Sequence, residues 1–165
     1  MIDYRIASLE DLETIWDTVN IADHPGDDRW VKWKKLLIED NLAGKCRTFV
    51  IVIDGKPVGE GTLLLSPDCF ALAGLPQLAD GTTTNINGLR IRKQYEGNGY
   101  ISKLVKFMEN WAREQGYSTI NIGVSACEAR NLAIYLHWGY TDYMCYEIDD
   151  GELVLYYGKP LRQDA

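Results

Sequence analysis

The chain has 165 residues, 46% of them apolar and 25% charged, which suits one domain with a proper core and is too short for two. Its net charge of −7 argues against a nucleic-acid partner, because such binding depends on neutralising phosphates with Lys and Arg. No apolar run approaches the roughly 18 residues a membrane helix needs, so no membrane partner is expected.

The first residues, MIDYRIASLEDLE, carry charges where a secretory signal has an apolar stretch, which predicts a cytoplasmic protein. Cys46, Cys69, Cys127 and Cys145 lie far apart, and only His24 and His137 could join them as ligands. No metal is therefore expected, and the thiols are predicted to be reduced and structural.

The spacing predicts a first strand over residues 2–8 and then a helix. Ser8 stands as its N-cap, with Asp11 at the third helical position of a capping box. Leu9, Leu12, Ile15, Trp16 and Val19 give this helix an apolar stripe. A loop, ADHPGDDR, leads to a second helix ending near Gly44. Residues 47–65 read as a hairpin, two β-rich runs joined by Asp54-Gly55. An irregular stretch follows, and TTTNINGLRIR then reads as a fourth strand.

From Ile101 the period becomes helical, with Leu104, Val105, Met108 and Ala112 on the same face and Gly116 at the end. STINIGV reads as a buried strand, CEARNLAIYLHWGY as a helix closed by Gly139, and the last segment as a hairpin around Asp150-Gly151. The order β-α-α-β-β-β-α-β-α-β-β implies a single α/β domain over residues 1–165, with helices packed on a mixed sheet.

Gly97 and Gly99 stand between the fourth strand and the third helix. Glycine is used where backbone turns sharply or approaches something closely, and a helix N-terminus attracts phosphate through unpaired N–H groups. The nucleotide P-loop is excluded, since EGNGYIS lacks its Gly-Lys-Ser/Thr ending. A dinucleotide fingerprint lacks its third Gly or Ala, because Ser102 stands there.

The stretch GLRIRKQYEGNGYISKLVKFMENWAREQGYSTINIGV, followed by NLAIYLHWGY, resembles the GNAT superfamily of acyl-CoA N-acyltransferases. The resemblance extends to the opening strand and helix and to the first hairpin, and covers nearly the whole chain. It implies a mixed sheet that splays open in the middle to admit acetyl-CoA as cosubstrate, with the pyrophosphate on the turn after strand four. The family pattern there, Gln/Arg-x-x-Gly-x-Gly/Ala, fits from Gln94, but its last residue should stand three before the first large apolar residue of the helix interior. Leu104 takes that place when the motif starts at Glu96, giving Glu96-Gly97-Asn98-Gly99-Tyr100-Ile101, with Ser102 next. In this register Glu96 replaces Gln or Arg, and Ile101 replaces a small residue.

By the same resemblance, the backbone of Leu89, Arg90 and Ile91 pairs with the pantetheine arm and polarises the thioester carbonyl. Tyr135, four residues before Gly139, stands where the family places its general acid; a packing residue with its hydroxyl at the surface is the competing reading. Glu128 occupies a position where the family often has a pantetheine-binding Asn, with Asn131 as a possible replacement. On helical spacing, Ala129, Leu132, Ala133 and Leu136 form the core stripe, and Asn131 and Tyr135 share a flank about 100° away. Strand four offers Asn85 and Asn87 where the family usually has a carboxylate, which leaves Glu60 as the candidate general base; a surface or packing-edge glutamate is the competing reading.

Together these imply an N-acetyltransferase acting by direct attack of a primary amine, from a small molecule or peptide, in a ternary complex. Asp23, His24, Asp27, Asp28, Trp30 and Trp33 place acid beside indole near the acceptor, which suits a cationic amine; solvated loop charges and helix-face tryptophans are the competing and preferred reading. The alternatives are a non-catalytic acyl-CoA-binding or regulatory module with the same fold, and a dinucleotide-binding protein. Exposed strand edges and tryptophans also allow a homodimer, which is common in the family.

Overall fold

The computed structural model describes residues 1–72 and 74–162. Among these described residues seven strands form one sheet: β1 (Ile2–Ile6), β2 (Cys46–Ile53), β3 (Lys56–Leu64), β4 (Thr83–Ile91), β5 (Thr119–Ser125), β6 (Asp142–Asp149) and β7 (Glu152–Pro160). Their order is β1-β2-β3-β4-β5-β7-β6, and only β4 and β5 run parallel. That rules out the doubly wound parallel sheet of a dinucleotide-binding fold. Both tight hairpins turn on Asp-Gly pairs with positive φ at each residue, 49° and 81° at Asp54-Gly55 and 50° and 80° at Asp150-Gly151.

Among the described residues four α-helices cover the sheet: α1 (Leu9–Ile15), α2 (Arg29–Leu42), α3 (Tyr100–Glu114) and α4 (Ala129–His137). Leu12, Ile15, Trp16 and Leu37 bury one sheet face with Leu64, while Leu104, Met108 and Tyr140 bury the other with Phe49 and Ile86.

Helix α1 starts on the predicted capping box. Ser8 Oγ accepts from the Asp11 amide at 3.1 Å, and the Ser8 amide donates back to Asp11 at 3.0 Å. Asp11 is buried and also accepts from Arg5 at 2.9 Å. Burial pushes its carboxyl up, but the Arg5 and Ser8 contacts outweigh that and hold it below the usual range. Ser8→Ala is expected to cost about 1 kcal/mol in urea unfolding.

Beyond Ile15 the helix widens into a π segment, Trp16–Ile21. The wider turn lets Val19 and Asn20, adjacent in sequence, both face inward, at 3% and 1% exposure. Leu9, assigned to the apolar stripe, is instead 52% exposed.

The α4 stripe is also corrected. Ala129, Ala133 and Leu136 face solvent, while Tyr135 and Trp138 pack against the core. Tyr135 therefore lies on the inward face, not on a flank. The physical reason is size: the aromatic rings bury more apolar area than the alanines and win the inward position.

Candidate active site

Strands β4 and β5 pair only over Thr83–Ile86 and Thr119–Ile122. Past that point β5 continues against β7 alone, while β4 continues against β3. Residues 87–91 of β4 thus have no strand on the side away from β3, and main-chain groups not used by β3 face an opening. A bulge lies in this stretch: Asn87 pairs with Thr62 and Arg90 with Glu60, leaving one extra residue on β4. Gly88, at φ +66°, provides the left-handed conformation that the bulge needs. The extra residue brings Arg90, not Leu89, onto the face that carries Glu60.

The opening holds two cavities. A groove of about 630 Å³ runs from Val19, Asn20, Asp23 and His24, past Leu89, Arg90 and Ile91, to Glu96, Gly97, Gly99, Tyr100, Ile101 and Ser102. Its other wall is α4, with Arg130, Asn131, Tyr135 and Trp138. A second cavity of about 280 Å³ is lined by Asn85, Asn87, Glu147, Asp149 and Tyr156, among others. Leu89, Arg90 and Tyr135 line both, so the two spaces meet at these residues.

Gly97 and Gly99 have φ of +79° and +76°. A Cβ at either would meet no protein atom within 4 Å, so the protein's own requirement there is backbone conformation, not space. Helix α3 starts on Gly99 with no side-chain cap, which leaves its first N–H groups beside the groove. Gly99→Ala is expected to cost about 1–2 kcal/mol, read as a lower urea midpoint.

Glu96 lies on the groove wall, and Gln94 does not. Asn98 is the one residue of the predicted loop set that lines no part of it. Its amide turns back to donate to the carbonyls of Tyr95 and Glu96 at 3.1 and 3.2 Å, because bonding within the turn ties down the loop. Asn131 lines the groove and donates to Glu128 at 2.7 Å. Burial, and then the nearby Glu128 carboxylate, push the Tyr135 phenol above its ordinary range.

Glu60 is neither a surface nor an edge residue. It is 1% exposed and lines neither cavity. Its Oε1 accepts from Arg90 Nη1 at 2.9 Å and from Asn20 Nδ2 at 3.0 Å, while Oε2 has no partner. Burial pushes its carboxyl up, and Arg90 and Asn20 only partly offset this. The Arg90 guanidinium in turn lies 5.0 Å from the Trp30 ring centre and 5.8 Å from that of Trp16.

The acid-and-indole segment is occupied by the protein itself. His24 stacks on Trp30 at 3.8 Å, and Arg29 sits 5.4 Å over Trp33. Asp27 pairs with Arg29 at 2.8 Å, which drives its carboxyl down to about 2. These rings already hold cations of the chain, so the cage expected for a cationic amine is not free. Asn20, Arg130, Glu147, Asp149 and Tyr156 were not anticipated. Asn20 depends on the π segment and the others on which strands the splay separates; the one available signal was Glu147-x-Asp149, which puts two acids on one strand face.

No group of three metal-ligating side chains occurs among the described residues, and no helix among them is long and apolar enough to cross a membrane.

A mixed sheet parted at β4 and β5, with a groove ending on an uncapped helix start, can take an extended ligand with an anionic group at the helix end. The family model "Acetyltransferase (GNAT) family" matches residues 8–140, and the chain belongs to that family. Solved structures agree on the fold. A GNAT-family protein from Desulfovibrio desulfuricans superimposes with a TM-score of 0.76 at 12% identity, covering 98% of this chain and 100% of that one. YncA of Salmonella typhimurium, solved with its cofactor acetyl-CoA, gives 0.72 at 16%, covering 100% and 96%. The ribosomal-protein-S18-alanine N-acetyltransferase of Escherichia coli gives 0.71 at 14%, covering 100% and 97%. No curated protein matches the sequence.

Proposed function

We propose that the enzyme transfers the acetyl group of acetyl-CoA to a primary amine by direct attack in a ternary complex. The observation that carries this reading is the stretch of β4 past Ile86 with no β5 partner, whose Leu89, Arg90 and Ile91 line a groove that ends on the left-handed Gly97–Gly99 turn. The same features support the fit of acetyl-CoA. Main-chain donors of β4 suit its amide-rich arm, and the first N–H groups of α3 suit its pyrophosphate. Arg130 brings positive charge to the same groove. Glu96 opposes this, by a few tenths to about 1 kcal/mol for a solvent-exposed charge.

When bound, acetyl-CoA supplies the acetyl group as a thioester, whose C–S bond breaks as the amine's N–C bond forms. The free N–H groups around Leu89 to Ile91 stabilise the charge that develops on the carbonyl oxygen. Tyr135 stays protonated at neutral pH and holds its phenolic proton for the departing sulfur. The amine attacks in its neutral form and loses its proton to solvent. Glu60 reaches neither cavity, so we assign it the positioning of Arg90 in place of direct proton abstraction.

The test is release of free thiol from acetyl-CoA with a panel of amino acids, polyamines, aminoglycosides and basic peptides. Turnover with at least one primary amine is expected, together with a higher melting temperature in coenzyme A but not in NAD. No thiol release and no stabilisation by coenzyme A would overturn the reading.

A further inference from the structure

The second cavity is lined by two carboxylates and, among its described residues, a single cationic side chain. Glu147 and Asp149 stand two apart on β6 and both line it. Neither is ion-paired to any described residue, and Glu147 Oε1 takes only the Tyr156 hydroxyl, at 2.5 Å. Arg90 is the one Lys or Arg among the described lining residues, and its guanidinium is committed to Glu60.

Asn85 provides an independent sign of what the cavity accepts. The Leu78 carbonyl can only accept, so Asn121 presents Nδ2 to it at 2.9 Å. That turns Asn121 Oδ1 toward Asn85, which must present its own Nδ2, at 2.6 Å. The chain of bonds fixes both amides and leaves Asn85 Oδ1 as the end that takes no donor from the described residues. Asn85 is 2% exposed and lines the cavity, and no described donor reaches this oxygen. A nearly buried amide oxygen held in one direction without a donor is costly unless a ligand or water supplies one.

A fixed amide oxygen and two unpaired carboxylates suit a group with several N–H donors and a positive charge, a primary ammonium. This cannot be the amine that reacts. Carboxylates nearby raise an ammonium's pKa, whereas attack needs the proton removed. The reacting nitrogen belongs where the cavity meets the groove, at Leu89, Arg90 and Tyr135. A cavity of about 280 Å³ also favours a small, flexible acceptor.

We propose that the acceptor is a short aliphatic diamine or polyamine. One amino group is presented at the Leu89–Tyr135 junction, while a second, protonated one rests on Asn85 Oδ1, Glu147 and Asp149. This rests on acetyl transfer to an amine being the activity of the site.

The experiment compares a four-carbon diamine, the monoamine of equal length, spermidine and a lysine-containing peptide, using wild-type enzyme and Asp149→Asn. The diamine or spermidine should exceed the monoamine in kcat/KM by about tenfold or more, and Asp149→Asn should cut that ratio by about tenfold, mainly through KM. Equal kcat/KM for diamine and monoamine, a preference for the peptide, or a ratio unmoved by Asp149→Asn would each overturn the proposal while leaving amine acetylation intact. If no amine is turned over, the function reading fails by itself. Calorimetry of the four-carbon diamine with coenzyme A-saturated enzyme then decides the site: binding weakened about tenfold by Asp149→Asn supports it, and no binding overturns it.

Discussion

Tyr135→Phe is expected to lower kcat for acetyl transfer by about 100-fold at pH 7 while leaving the affinity for acetyl-CoA nearly unchanged. The substitution removes one oxygen and keeps the ring, which packs against Trp138 with centroids 5.6 Å apart. Wall shape is therefore retained, and what is lost is the proton held at the meeting point of both cavities. Burial and the Glu128 carboxylate raise the phenol's pKa above its ordinary 10, so the acid form is complete through neutral pH. The rate should accordingly show no alkaline fall attributable to Tyr135 below about pH 10.

The departing sulfur leaves as a basic thiolate unless it is protonated, so help from an acid matters most at pH values where the free thiol is the stable form. The variant's deficit should shrink as pH rises from 6 to 9 in steady-state kinetics. A kcat within twofold of wild type at pH 7 would remove Tyr135 from the mechanism.

Glu60→Ala is expected to destabilise the fold by about 2–3 kcal/mol, and Glu60→Gln by about 1 kcal/mol or less. Alanine leaves Asn20, 1% exposed, without a partner for its amide and removes the anion that holds Arg90. The upper figure for a broken buried pair, about 5 kcal/mol, does not apply, because the Arg90 side chain is 32% exposed and can take up water. Glutamine keeps an acceptor for Asn20 and Arg90 and removes only the charge. Urea unfolding of both variants measures the difference. Kinetics of Glu60→Gln separates positioning from proton abstraction: loss of the acidic limb of the kcat/KM profile would make Glu60 the base. An unchanged limb with a raised KM matches a residue that holds Arg90 in place.

Much of the fold was legible because it depends on local signals. The Ser8–Asp11 capping box, the two Asp-Gly turns and the Gly97–Gly99 junction each encode a conformation within a few residues. That Glu96 stands at the groove and Gln94 does not could be read in the same way, from spacing to the apolar helix interior. Asn98 could not, since its choice between a ligand and the Tyr95 and Glu96 carbonyls is made by the turn's own hydrogen bonds.

Helix α4 shows where periodicity misleads. It offers two arcs of apolar residues, and the arc that turns inward is the one whose aromatic rings bury more area. Of the two readings of Trp30, Trp33 and Asp27, the acceptor cage is the one set aside, because His24, Arg29 and Arg90 already engage these side chains.

The sequence by itself determined the element order, the hairpin turns and the glycine turn ahead of α3, because turn and cap preferences act over a few neighbouring residues. Only the tertiary structure decided that β4 and β5 part after Ile86 and Ile122, and that Gly88 turns Arg90 onto the Glu60 face. It alone brought Asn85, Glu147 and Asp149 around one cavity. These residues come from strands far apart in the chain, and their meeting depends on sheet order and on which edges stay unpaired, neither of which a local sequence pattern carries.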